Sequence, residues 1–253
     1  MKVLTIAKNT LKEVLRDKIL YIILFFALAM MAFSTLLYEL SMKQDVRIIK
    51  DLGLGMISMF GIIITLFIGS SMLYKEIDKK TIYLVLSKPV KRSSFLLGKF
   101  IGLAIVLLLI TLGLTASFFI ILYIRDIPFN YLFLIAIFFT YLELLFLVSV
   151  TIFFSTFTSP IITIFSTLVV FLTGRSVTAI FVYIAKISSG MTQTILKGLF
   201  YLVPNLEHVN IINQVVYGVP VSLKQGSLVI GYIVLYTFFL LFISQITFEK
   251  KDF

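Results

Sequence analysis

The stretch Tyr74–Lys99, YKEIDKKTIYLVLSKPVKRSSFLLGK, is the most polar long run in the chain, and it lies between two apolar segments each long enough to cross a bilayer. Seven of the 22 lysines and arginines fall in it, against only Glu76 and Asp78, which makes this loop cytoplasmic by the positive-inside rule. Within it Thr81–Leu86 is a short apolar helix candidate, closed by Ser87 and stopped by Pro89, because a residue before proline is pushed out of the α region. The run Ile82-Tyr83-Leu84-Val85-Leu86 is a poor surface to leave in water. It calls for a partner groove or the membrane face.

Outward from this loop the chain reads as an all-α integral membrane protein of six spans forming one transmembrane domain, residues 1–253. Residues 1–18 place Val3, Leu4, Ala7, Leu11, Val14 and Leu15 on one helical face and Lys8, Lys12, Glu13 and Arg16 on the other. Beside a membrane span, such a basic amphipathic helix is expected to lie in the inner interface, with a solvated cytoplasmic helix as the alternative. Spans are expected at 19–37, 52–74, 95–124, 131–157, 160–184 and 227–248. The first continues too far for a signal-peptide core and has no convincing cleavage site, so it reads as retained. The third, at about 1.5 Å per residue, exceeds the ~30 Å hydrocarbon core and must project or tilt. Arg125–Pro128 reads as a tight external turn, and Pro160 suits the first turn of the fifth span. Between the fifth and sixth spans, 186–225 holds two apolar stretches too short to cross, split by Pro204-Asn205. They predict an external or re-entrant helical hairpin.

Composition agrees: 60% of residues are hydrophobic and 13% charged, with a mean hydropathy of +1.11. The net charge of +10 comes from basic residues that flank apolar spans, which argues for orientation rather than nucleic-acid binding. Six spans put both termini beside the Tyr74–Lys99 loop, with fourteen lysines and arginines inside and seven outside. With no cysteine and the single histidine His208, disulfides, thiolate sites and imidazole-rich metal sites are excluded. There is no GxxxxGK[ST] run, and Gly53-x-Gly55 lacks a third glycine and a preceding strand. No HExxH or GxSxG is present either, so neither ATP binding nor catalysis is expected in this chain.

Two ionisable residues lie deep in the expected spans, where a charge costs roughly 2.5–3.5 kcal/mol even on the lenient insertion scale. Glu143 stands fourteen residues before the end of the fourth span and Arg175 fifteen after Pro160. Both therefore lie roughly 21–22 Å from the shared turn, at one depth, and are expected to pair. The pair either locks the fourth span to the fifth or contacts substrate. Gly98-x-x-x-Gly102 permits close helix approach and reads as packing, as do Gly61, Gly69, Ser70 and Ser71. His208, beside Glu207 and Asn210, reads as a solvated pair.

The succession of an amphipathic helix, six spans, a basic loop and a broken segment goes with Glu76-x-x-x-x-Thr81-Ile82-x-x-x-Leu86-Ser87-x-Pro89-Val90-x-Arg92 and Leu97-Gly98-Lys99. Together these features resemble the ABC-2 type permeases, the membrane subunits of type V ABC exporters. Val203-Pro204-Asn205-Leu206, Asn210-x-x-Asn213-Gln214-x-x-x-Tyr217-Gly218 and the ending Glu249-Lys250-Lys251-Asp252 look most like the permeases associated with multicopper-enzyme maturation. The resemblance implies that 75–94 carries a coupling helix docking on a separate ATP-binding subunit, with Glu76, Asp78, Thr81, Leu84, Ser87 and Pro89 at or near the contact. It implies two such subunits holding ATP and magnesium, no cofactor in this chain, and a second permease copy or homologue around a pathway lined by the second and fifth spans. It also implies an external segment marked by Pro204, Asn205 and Asn210, and a prokaryotic inner-membrane location with both termini cytoplasmic. Arg175 matches no motif of the family. The rival readings are an ion-coupled secondary transporter using Glu143, an intramembrane protease, and a membrane anchor for an ATPase. The first would show paired broken helices, and only one broken segment is evident.

Overall fold

The structure is a computed structural model that describes residues 2–16, 25–26, 29, 45–78, 92–186, 190, 194, 198, 203–217, 219 and 222–250. Its elements are α1 (Lys2–Arg16), α2 (Asp45–Asp78), α3 (Arg92–Ile124), α4 (Tyr131–Ser155), α5 (Pro160–Arg175), α6 (Val177–Lys186), α7 (Ile212–Val216) and α8 (Leu223–Glu249). Among the described residues four helices are long and apolar enough to cross a membrane, α2, α3, α4 and α8, and there are five if the bent pair α5–α6 is one span. The expected first span, 19–37, lies outside the described residues except at three positions. Of these, Phe26 sets its ring edge-on to Phe60 of α2, 5.4 Å between centroids.

α4 is the centre of the bundle. It is apolar all round, as a helix buried on every side should be, and it packs against α2, α3, α5 and α8. The approach of α2 is close because two glycines face α4: a Cβ at Gly61 would stand 2.6 Å from Leu144 Cδ1, and one at Gly69 would stand 2.6 Å from Thr151 Oγ1. Without a hydrophobic driving force between helices in lipid, such small-residue contacts supply the packing. The Tyr141 hydroxyl crosses to α3 and donates to the carbonyl of Ala104 at 3.0 Å. α8 stands at the edge of the bundle, against α3 and α4, and shows Leu235, Phe238, Phe239 and Phe242 outward.

The connection from α3 to α4 is built from its backbone. Asp126 takes φ 53°, its amide bonds Tyr123 O, and the Ile127 amide bonds Leu122 O at 2.9 Å, which together form a Schellman motif. Ile127 and Leu122 are both buried, supplying the apolar contact of that motif. Asn130 then caps α4, its Oδ1 accepting from Leu132 N at 3.0 Å. At the other end of α4 the turn runs through Ser159, and Pro160 opens α5, where its missing amide costs nothing.

Three features add to the expected layout. First, α1 packs along the foot of α3, with Ala7, Thr10 and Val14 buried and Leu4 exposed. A Cβ at Gly98 would meet Ile6 at 2.8 Å, and one at Gly102 would meet Thr10 at 2.5 Å. The Gly98-x-x-x-Gly102 spacing therefore receives α1, and Lys99 Nζ adds an ion pair to Glu13 at 3.8 Å. Second, α2 starts at Asp45, so much of the segment expected to link the first two spans is helical. Third, the expected fifth span, 160–184, holds two helices: α5 and α6 meet at Ser176 with a bend of 67°, the geometry of a broken span or a re-entrant loop.

Candidate functional site

The break between α5 and α6 is where Glu143 and Arg175 meet. Glu143 projects from the middle of α4 with 1% of its surface exposed, and Arg175 is the last residue of α5. The guanidinium grips the carboxylate with two parallel bonds, Nε to Oε1 at 2.8 Å and Nη2 to Oε2 at 2.7 Å. Nη2 also donates to Ser58 Oγ of α2 at 3.2 Å, so three helices meet at one guanidinium. Bidentate geometry of this kind is the strong form of the charge-assisted bond, and both Glu143 oxygens are used.

The reason for the bend lies in an exchange of backbone partners. In an unbroken helix the Thr178 amide would donate to the Gly174 carbonyl four residues earlier. Instead the Gly174 carbonyl accepts from Leu206 N at 3.0 Å, and the Thr178 amide donates to Glu207 Oε2 at 3.2 Å. The segment 203–211 can come this close because residue 174 has no side chain: a Cβ there would stand 2.7 Å from Pro204 O. Ser176 then opens α6, its carbonyl accepting from Ile180 N at 2.9 Å.

The inserted segment is itself stitched in place. Asn205 Oδ1 accepts from the Glu207 amide at 3.1 Å, and Asn210 Oδ1 accepts from Ile212 N at 3.3 Å, two turns closed by side chains. The Asn205 amide reaches the other way, to the Tyr232 hydroxyl of α8 at 2.8 Å. Leu206, Val209 and Ile211 are buried beneath these turns. The expected helix over Leu206–Val216 is accordingly reduced to the five residues of α7, because the asparagine side chains satisfy the backbone that a helix would otherwise pair. The first limb of that hairpin lies outside the described residues apart from 194, 198 and Val203. Arg47 of α2 lies over the Tyr217 ring at 3.7 Å and fastens the end of α7.

Between this segment and α8 two adjoining cavities open, of about 520 and 300 Å³, with His208, Leu228 and Val229 in the walls of both. The larger is bordered by Asn210, Asn213, Gln214 and Gln225. His208 is exposed at this rim.

Of the site residues expected from sequence, Glu143 and Arg175 are brought into direct contact, and Pro204, Asn205 and Asn210 lie in the segment that clasps the break. Glu76 and Asp78 fall in the last turns of α2, whereas Thr81, Leu84, Ser87 and Pro89 lie outside the described residues. Ser58, Leu206 and Tyr232 were not legible as partners. Nothing in sequence distinguishes Ser58 from any small residue that lets helices approach. Arg92, noted above only as part of a motif, donates to the carbonyls of Phe248 and Glu249 at 2.9 and 3.0 Å and so caps the last turn of α8.

A bundle of long apolar helices, packed through glycines and holding a neutralised ion pair at a break, defines a polytopic helical membrane protein. The family model of the ABC-2 family transporter proteins matches residues 4–253, and the chain belongs to that family. No curated protein matches the chain. Membership makes it a multi-pass membrane protein of the permease type, and the family implies ABC ATP-binding subunits as partners.

Proposed function

We propose that the chain is the permease subunit of an ABC exporter, driven by two separate ATP-binding subunits that dock on 75–94, with a second permease copy or homologue completing the pathway. Support for the docking comes from the sequence of that loop, whose apolar run needs a partner, and from its place between α2 and α3, two of the longest helices. ATP and magnesium then belong to the partner, and this chain carries no catalytic group. Its residues resemble the permeases associated with multicopper-enzyme maturation, in a prokaryotic inner membrane with both termini cytoplasmic.

One observation carries a moving role over a merely anchoring one. A membrane helix is broken at Ser176, and its freed backbone groups are held by a segment that could release them. Such a break can straighten by restoring the Thr178-to-Gly174 bond, which gives the outer part of the bundle two arrangements with nearly equal numbers of bonds. Motion delivered by ATP at the loop end would pass along α2, which ends there, to Ser58 and Arg175 at the break. The bidentate pair also weighs against an ion-coupled transporter, since a guanidinium bonded to both oxygens of Glu143 already neutralises it and disfavours a proton or sodium ion there. It supports the lock between α4 and α5 over direct substrate contact.

Co-purification with ATP-binding subunits from the same source, followed by hydrolysis assays in lipid with and without the chain, tests the reading. We expect stable association and stimulated hydrolysis, both lost in Leu84→Asp. Transport that persists in Leu84→Asp without an ATPase would overturn it.

A further inference from the structure

The seating of α1 on α3 leaves a slot of about 470 Å³ between the two helices, walled by Leu4, Ala7, Leu11 and Ile105 and edged by Thr5 and Lys8. That volume is in the range of small-molecule sites, roughly 300–1,000 Å³. Leu4 is 74% exposed, whereas Ala7 and Val14 of the same helix are buried. Lys8 at the edge of the slot and Lys12 one turn further along α1 are exposed, and no ion pair with either is seen among the described residues. The one carboxylate of the helix, Glu13, is engaged by Lys99.

The depth of the slot follows from the length of α3. Its 33 residues extend about 50 Å, roughly 20 Å more than the hydrocarbon core. With the Ile124 end at one boundary, beside the charged turn Arg125-Asp126, the opposite boundary falls about 20 Å from Arg92, which is the level of Ile105. α1 runs alongside α3 in the same direction, with Ile6 at Gly98 and Thr10 at Gly102, so Leu11 and Ile105 stand at the plane where acyl chains meet headgroups and Lys8 about one turn to its cytoplasmic side.

We propose that this slot binds an acidic phospholipid, one acyl chain lying against Leu11 and Ile105 and the phosphate held by Lys8. The apolar wall alone would accept any lipid chain. Lys8, which forms an ion pair with no described residue, selects the anionic headgroup, as basic residues beside a membrane surface do.

The test uses the full chain purified in an uncharged detergent, with phosphatidylglycerol or phosphatidylcholine of matched chains added and bound lipid counted by native mass spectrometry. Phosphatidylglycerol should be retained in preference to phosphatidylcholine. Lys8→Glu should lower its retention roughly five-fold or more without changing phosphatidylcholine, given the contribution of one lysine near an anionic surface. Ile105→Asn, at an exposed position of the slot wall, should weaken retention of both lipids. Equal retention of the two lipids, or phosphatidylglycerol binding unchanged in both variants, would overturn the site. No ATP-binding subunit enters the assay, so its outcome is independent of the permease reading.

Discussion

Two glycines in this chain each admit another segment closer than a side chain would allow, yet one helix stays straight and the other breaks. At Gly102, α3 receives α1: a Cβ would stand 2.5 Å from Thr10 Cβ and 3.0 Å from Ala7 O. At Gly174, α5 receives the segment 203–211, and the nearest atom is Pro204 O at 2.7 Å. The distances are similar, so proximity alone does not bend a helix. The difference lies in what arrives. α1 is a finished helix whose backbone bonds are internal, so it offers α3 no donor and takes no acceptor. The segment 203–211 is not helical there, and it brings the amide of Leu206 and the carboxylate of Glu207 to the two groups that would otherwise bond each other. A helix breaks where its neighbour supplies substitute partners, because buried backbone groups must be paired by something.

The largest expected effect concerns the ion pair at the break, which is bidentate with a buried carboxylate, unlike the single 3.8 Å Lys99–Glu13 contact between α1 and α3. Arg175→Ala leaves Glu143 buried and uncompensated and should cost about 3–5 kcal/mol in the unfolding of the detergent-solubilised chain. Replacing both partners, Glu143→Leu with Arg175→Met, should recover most of that loss. If the double variant is no better than the single, the pair is not acting as a mutual neutraliser. Exchanging the charges adds a functional reading: transport rescued by Glu143→Arg with Arg175→Glu favours the lock, whereas folded but inactive protein favours substrate contact.

Alanine at each glycine separates the two contacts. Gly102→Ala should destabilise by about 1–3 kcal/mol, because α1 must move as a unit. Gly174→Ala should cost a similar amount and, in addition, speed hydrogen exchange at the Leu206 and Thr178 amides, since the approach that pairs them is blocked. Unchanged exchange at those two amides would mean that the substitute bonds do not hold the bend. A smaller effect is expected from Glu207→Ala, which removes an acceptor at an exposed site: about 0.5–1.5 kcal/mol at most, with faster exchange at Thr178 alone. Gly55→Ala provides the opposite sign. Nothing lies within 4 Å of a Cβ there, and α2 should gain about 0.5–1 kcal/mol from the loss of a helical glycine.

Much of the bundle was legible because hydropathy and length constrain a membrane helix so strongly. The pairing of Glu143 with Arg175 was legible for the same reason: two helices leaving one turn carry equal residue counts to equal depth. The break at Ser176 was not. Val177–Ile184 continues the apolar run of the fifth span, and only the polar cluster Thr173-Gly174-Arg175-Ser176 interrupts it. That cluster would signal a bend only to a reader who knew that 203–211, some thirty residues later, would supply the missing donor and acceptor. α1 shows the same limit in another form. Its periodicity gave an amphipathic helix, but whether the apolar face meets lipid or protein depends on Gly98 and Gly102, a spacing that says a helix can approach without saying which one.

The most direct test of the account takes advantage of a chain without cysteine, into which label pairs can be placed one at a time. One pair, Ala179→Cys with Asn213→Cys, spans the break and the segment that clasps it, and the other, Asn9→Cys with Ile101→Cys, spans α1 and α3. All four positions are exposed. Spin-label distances would be measured in the assembled transporter, nucleotide-free and trapped with ATP. We expect the Ala179–Asn213 distance to change on trapping and the Asn9–Ile101 distance to stay fixed. A fixed distance across the break in a transporter that still turns over, or movement at α1 alone, would contradict the account.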